Sequence, residues 1–131
     1  MCRKIFFSLH RMALIGCIVT AIGFPISANA GDPAAGQSLF KTQCSICHAV
    51  LSGKNSIGPS LFGVVGRKSG SVAGFHYSPA NQSDNLTWDE ATLDKYLLSP
   101  KTVVPGTTMI YAGLKDDTKR ADLIAYLATV K

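Results

Sequence analysis

Cys44-Ser45-Ile46-Cys47-His48 is the stretch on which the reading of this chain turns. Two cysteines three positions apart lie on one side of a helical turn, and a histidine follows the second directly. That arrangement is the attachment signal for c-type haem. Cys44 and Cys47 can reach two vinyl groups on one porphyrin edge and form thioethers. His48 is then held beneath the ring, where its Nε2 can bind iron. Two other chemistries use the same cysteine spacing. A thioredoxin-like thiol pair calls for a βαβ setting, and no strand alternation surrounds the pentapeptide. A structural zinc site needs four protein ligands. His48 and His76 complete such a set only in number, because a histidine adjoining Cys47 is awkwardly spaced for a tetrahedron.

Toward the amino terminus the chain changes character. Residues 1–11 carry Arg3, Lys4 and Arg11 and no acid, and residues 12–24 are an uncharged, largely apolar run of 13. Pro25 and then Ala28-Asn29-Ala30 follow. A basic start, a short apolar middle and a small-x-small end describe a secretory signal. A membrane-spanning helix needs about 20 apolar residues, which this run lacks; a retained leader would leave the protein membrane-tethered. Leu14-Ile15-Gly16-Cys17 loosely resembles a lipoprotein box, but only five residues separate Arg11 from Cys17. The expectation is a signal peptide over 1–30, cleaved after Ala30, and one domain over 31–131, located in the periplasm.

Cleavage alters the totals. The full chain carries 13 basic and 8 acidic residues; three of the bases and none of the acids lie in 1–30, which leaves a net charge of +2. No basic cluster is longer than Arg67-Lys68 or Lys119-Arg120, which argues against nucleic acid as a partner. Cys2 and Cys17 leave with the leader, so Cys44 and Cys47 are the cysteines of the exported chain. In an oxidising compartment such a pair is ordinarily a disulfide, unless haem takes both sulfurs.

Periodicity and turn chemistry predict an all-α class with much loop. Residues 33–47 read as a helix, with Asp32 as N-cap and Pro33 in the first position. Residues 52–78 hold six glycines besides Pro59, which predicts a long loop; loops of that length tend to be functional. A short helix is expected over 79–83. A firmer one is expected to start at Thr87, through a capping box with Glu90, and to stop before Pro100. Pro105-Gly106 marks a second loop. The last helix is expected over about 117–130, where Ala121, Ile124, Ala125 and Ala128 keep helical spacing.

Six-coordinate iron needs a ligand opposite His48. Once the leader is gone, Met109 is the remaining methionine, 61 residues beyond His48. His76 or a lysine could also serve. Thioether ligation raises the potential, a property that suits a carrier at the oxidising end of a respiratory chain.

Several blocks in one order carry a wider likeness: Gly31-Asp32, Gly36-x-x-x-Phe40, the pentapeptide, Gly58-Pro59-x-Leu61, Gly66-Arg67-Lys68-x-Gly70 and Gly74-Phe75. Tyr77, Ala80-Asn81, Leu86-Thr87-Trp88, Tyr96-Leu97, Pro100-Lys101, Pro105-Gly106-Thr107-x-Met109 and residues 122–127 continue it. On these, residues 31–131 resemble a class I c-type cytochrome, of the branch holding mitochondrial cytochrome c and short bacterial relatives. The resemblance implies three main helices, short helices and long loops wrapped round one covalent haem. It implies a monomeric one-electron carrier rather than an enzyme, with His48 and Met109 on the iron. Pro59 would present its carbonyl to His48 Nδ1. Arg67, Tyr77 and Trp88 would hold haem propionates. Asn81, Tyr96 and Thr107 would form a polar network behind Met109, and Gly36 would let the first helix pack on the last near Tyr126.

The resemblance also implies redox complexes as partners: a quinol-oxidising complex or dehydrogenase as donor, and a terminal oxidase or reaction centre as acceptor. A small haem peroxidase or gas sensor would instead need an open sixth site, and no second histidine or arginine near Met109 suggests peroxide chemistry. The chain departs from lysine-ringed relatives at Ser38, Gln43 and Thr108, and Tyr111 replaces their Phe. Electrostatic steering by net charge should therefore be modest.

Overall fold

The structure is a computed structural model and describes residues 31–131. The leader expected over 1–30 lies outside the described residues.

Asp32 starts the fold. Its carboxylate accepts from Ala34 N at 2.8 Å, and Pro33 opens α1 (Pro33–Leu39), as the local sequence predicts. The chain then widens into a π-helical turn, Phe40–Cys44, closed by Ser45 N donating to Phe40 O at 2.9 Å. The helix expected over 33–47 therefore changes type at Phe40 and ends at Cys44. An i→i+5 turn takes up an extra residue and re-aims the chain beyond it, and such turns gather at functional sites. The pentapeptide then folds back tightly, with Cys47 N and His48 N both donating to Cys44 O, at 3.0 and 2.9 Å.

Residues 52–78 form no helix, as expected. Gly70 shows why this loop needs glycine: its φ is +70°, and a Cβ there would stand 2.7 Å from the Asn81 carbonyl oxygen. α2 (Pro79–Ser83) has the expected bounds, with the Ser78 hydroxyl accepting from Asn81 N. α3 (Glu90–Leu98) begins later than predicted. Thr87 is not its cap, because Thr87 pairs in an isolated antiparallel bridge with Lys68, and Trp88 exchanges backbone bonds with Gly66 and Arg67. Those bonds keep residues 87–88 extended, so Asp89 takes the capping role and accepts from Thr92 N at 2.7 Å. Past Pro100 the chain makes one further helical turn, α4 (Pro100–Val103), which the sequence pattern did not predict. α5 (Asp117–Thr129) closes the domain.

Packing is all helix on helix and loop; no strand occurs among the described residues. α1 lies against α5, and α3 also packs on α5. The core is Phe40, Leu93, Leu97, Val104, Leu123, Ile124 and Leu127 with Trp88 and Tyr96; each such aliphatic side chain contributes about 1.5–3 kcal/mol when fully buried. Gly36 makes the α1–α5 approach possible, since a Cβ there would overlap the Asp122 carbonyl oxygen and stand 2.8 Å from Tyr126 Cβ. The buried Arg120 guanidinium ties α5 to α3 by donating to Asp94 Oδ1 at 2.7 Å, and to Asp117 Oδ1 and the Leu114 carbonyl. Among the described residues no helix is long and apolar enough to cross a membrane.

Candidate haem site

Between these elements lies a cavity of about 430 Å³, within the size range of cofactor sites. The π turn, the loop through Tyr77, α2, α3, residues 107–111 and α5 all contribute to its wall. Phe40, Leu61, Val64, Leu97, Leu123 and Leu127 make it largely apolar.

Cys44, Cys47 and His48 line one side. Both thiols are free and half-buried. Burial, and secondarily the neighbouring Cys47, push the Cys44 thiol up to about 11, so at neutral pH it is protonated. His48 Nδ1 lies 2.8 Å from the Pro59 carbonyl oxygen. A carbonyl only accepts, so Nδ1 carries the proton and Nε2 keeps its lone pair. Burial lowers the His48 pKa, against the opposing pull of the Pro59 bond, and favours the neutral imidazole that a metal requires. Gly58 matters for a different reason than chain reversal: a Cβ there would overlap the imidazole ring. Its place beside the proline that supplies the acceptor was the available clue in the sequence.

Met109 lines the same cavity, and neither His76 nor any lysine does. Its Sδ lies 3.4 Å from Tyr96 Oη, which lies 3.3 Å from Thr107 Oγ1, which accepts from Met109 N at 3.3 Å. The donors and acceptors close a consistent ring. Met109 N–H gives to Thr107, the Thr107 hydroxyl to Tyr96, and the Tyr96 hydroxyl to the sulfur. Asn81 is not in it. Although it lines the cavity, its side-chain oxygen accepts from the Ser78 hydroxyl at 2.9 Å. Of the three residues expected behind Met109, Tyr96 and Thr107 bond to it and to each other, while Asn81 lines the cavity with its side-chain oxygen taken by Ser78 and makes no hydrogen bond to them.

Arg67, Tyr77 and Trp88 also line the cavity. Arg67 donates through Nη1 to the Phe62 carbonyl at 2.7 Å and through Nη2 to the Ser60 carbonyl at 2.8 Å, while its buried Nε has no protein partner. An unanswered buried donor on a cation is costly, and an anionic group in the cavity would answer it. Tyr77 accepts from Val72 N at 3.4 Å, which leaves its hydroxyl proton to give. Trp88 packs on Tyr96 with ring centroids 4.7 Å apart and the rings tilted by 52°. Sequence reasoning missed the supports of this corner. Ser60 is buried and donates to the Leu51 carbonyl, and Asn55 accepts from Ser60 N. Isolated Ser and Asn residues in a loop carry no signal of such roles.

The donor set fits a covalently held haem: two thiols, a neutral histidine with a free Nε2, a thioether, and an unpaired cation in an apolar cavity. The zinc alternative lacks its ligands, since no three His, Cys, Asp or Glu side chains among the described residues converge.

Comparison with known proteins gives the same class. The cytochrome c family model matches residues 33–131. Cytochrome c2 of Rhodomicrobium vannielii is 52% identical over 121 residues, covering 91% of this chain and 94% of that protein. Cytochrome c of Chlamydomonas reinhardtii is 54% identical over 101 residues, covering 76% and 90%. The solved structure of cytochrome cH from Methylobacterium extorquens superposes with a TM-score of 0.71 at 46% identity, covering 76% of this chain and 99% of that one. The chain belongs to the cytochrome c family, whose members bind one covalent haem c and carry electrons.

Proposed function

We propose that Cys44 and Cys47 hold the haem as thioethers, that His48 Nε2 and Met109 Sδ are its axial ligands, and that the protein is a monomeric shuttle for single electrons between redox complexes in the periplasm. The observation that carries this reading is that Met109, alone of the three candidates for the sixth position, shares a cavity with Cys44, Cys47 and His48.

When bound, the haem supplies one-electron chemistry through its iron, at a potential that His/Met ligation raises. The chain's own residues do the rest. Pro59 holds the His48 tautomer and makes Nε2 a stronger donor. Tyr96 donates to the Met109 sulfur and so moderates its electron donation. Arg67, Tyr77 and Trp88 face the propionates. The apolar wall excludes water, so a change of charge on the iron reorganises little around it.

Residues 1–30 are read as a signal cleaved after Ala30. The likeness to the Rhodomicrobium protein spans more of the chain than residues 31–131 supply, so it continues into the leader. Mass spectrometry of the exported protein should find Gly31 at its start. Donors would be a quinol-oxidising complex or a dehydrogenase, and acceptors a terminal oxidase or a reaction centre.

The deciding variant is Met109→Ala. Its haem should remain covalently bound, the weak sulfur-to-iron absorption of the oxidised protein should vanish, and the potential should fall by on the order of 0.2 V, within the roughly 0.8 V that axial ligands span. An unchanged potential and spectrum would remove Met109 from the iron.

A further inference from the structure

Two of the positions at which this chain departs from lysine-ringed relatives turn out to be partners. Tyr111 Oη donates to Gln43 Oε1 at 3.0 Å, across 68 residues of sequence. Gln43 belongs to the π turn and immediately precedes Cys44; Tyr111 follows Met109 by two residues. Both side chains line the cavity, so the bond joins the wall that bears Cys44, Cys47 and His48 to the wall that bears Met109.

The other ties of the Met109 segment run to α3 or stay local. Tyr96 holds Met109 and Thr107, Leu114 N donates to the Leu97 carbonyl at 2.8 Å, and Lys115 Nζ donates to the Leu98 carbonyl at 2.8 Å. Among the described residues, no other hydrogen bond links residues 105–113 to the π turn or the pentapeptide. Ile110, between Met109 and Tyr111, is 100% exposed and adds no packing. A phenylalanine at 111 would have no hydroxyl to give, and a lysine at 43 would have no oxygen to accept. The bond needs both departures.

We propose that Gln43 and Tyr111 form a clasp that holds the Met109 segment closed over the cavity and thereby positions Met109, so that opening of this clasp sets how fast an outside ligand reaches the iron. The proposal rests on Met109 being the sixth ligand. Neither residue touches the iron; both act through the segment that Met109 sits in.

Stopped-flow binding of imidazole to the oxidised holoprotein tests it, at concentrations where segment opening limits the rate. Tyr111→Phe and Gln43→Leu should each bind imidazole about threefold faster, the weight of one partly exposed hydrogen bond. The double variant should be no faster than either single one, because both remove the same bond. Gln43→Glu keeps an acceptor and should return the original rate. Amide hydrogen exchange over residues 108–113 should speed up in Tyr111→Phe and be restored toward the original in Gln43→Glu, relative to Gln43→Leu. Unchanged binding in Tyr111→Phe, or single effects that multiply in the double variant, overturns the clasp. Failure of the ligand assignment looks different: the parent protein would lack the sulfur-to-iron absorption, and Met109→Ala would leave its spectrum unaltered.

Discussion

At the scale of single residues, the cavity is built from side chains with one defined hydrogen-bonding option each. The Pro59 carbonyl leaves His48 one tautomer. The ring through Met109 N, Thr107, Tyr96 and the Met109 sulfur uses each donor once. A donor aimed at the sulfur draws charge from it and favours the reduced iron. Tyr96→Phe keeps the ring that packs on Trp88 and removes the hydroxyl that donates to the sulfur and accepts from Thr107. A bond worth about 1 kcal/mol corresponds to about 40 mV for one electron, so the variant's potential should drop by about 40 mV in a redox titration. No change would mean that the hydroxyl does not act on the sulfur in the holoprotein. The histidine, the methionine and the tyrosine could each be picked out along the chain. Their mutual geometry could not, because Tyr96 and Met109 are 13 residues apart and meet only when α3 packs beside the 104–113 segment.

At the scale of elements, local chemistry predicted well wherever the cap was the whole story. Asp32 with Pro33 starts α1 as expected, and α2 keeps its expected bounds, with Ser78 found as its cap. It failed where tertiary pairing competed. Thr87 and Glu90 spell a capping box, yet the backbone bonds to Gly66 and Arg67 hold residues 87–88 extended and move the start of α3 to Glu90. The π turn at Phe40–Cys44 was likewise illegible, since no residue preference marks an i→i+5 turn. The α1–α5 contact is the most sensitive junction, because the atom facing Gly36 is a backbone carbonyl that cannot rotate away. Gly36→Ala should cost at least about 2 kcal/mol, read as a lowered midpoint in chemical denaturation of the holoprotein. A loss below about 0.5 kcal/mol, the range of ordinary surface substitutions, would show that the two helices do not pack so closely.

For the molecule as a whole, charge bears on partner choice. Residues 31–131 carry ten basic and eight acidic groups, and four of the basic groups are already engaged, Arg120 with Asp94 and Asp117, Lys119 with Asp116, and Arg67 and Lys115 with backbone carbonyls. Two haem propionates would bring the net charge close to zero. The exposed residues lining the cavity include Gln43, Ile57, Thr108 and Ile110, and no lysine lines it. The rate of electron exchange with a redox partner should therefore change by less than about threefold between roughly 0.01 and 0.15 M salt, over which the Debye length shrinks from about 30 to 8 Å. Stopped-flow rates across that range measure it directly, and a steep decline with salt would restore a charged docking face.

Chemistry that depends on neighbours within a few positions was written in the chain order. The Cys44–His48 spacing, the cap at Asp32, the loop glycines and the bounds of α2 and α5 all follow from contacts one to four residues apart, which sequence spacing specifies directly. Relations across tens of residues waited on the fold. Among them are the Arg120–Asp94 ion pair and the Gln43–Tyr111 bond. Each depends on where packing brings two separate segments together, and no local preference encodes that distance. The pentapeptide announced a haem; the packing of α3, α5 and the loops around one apolar cavity brought Met109 to the same wall-bound space as His48.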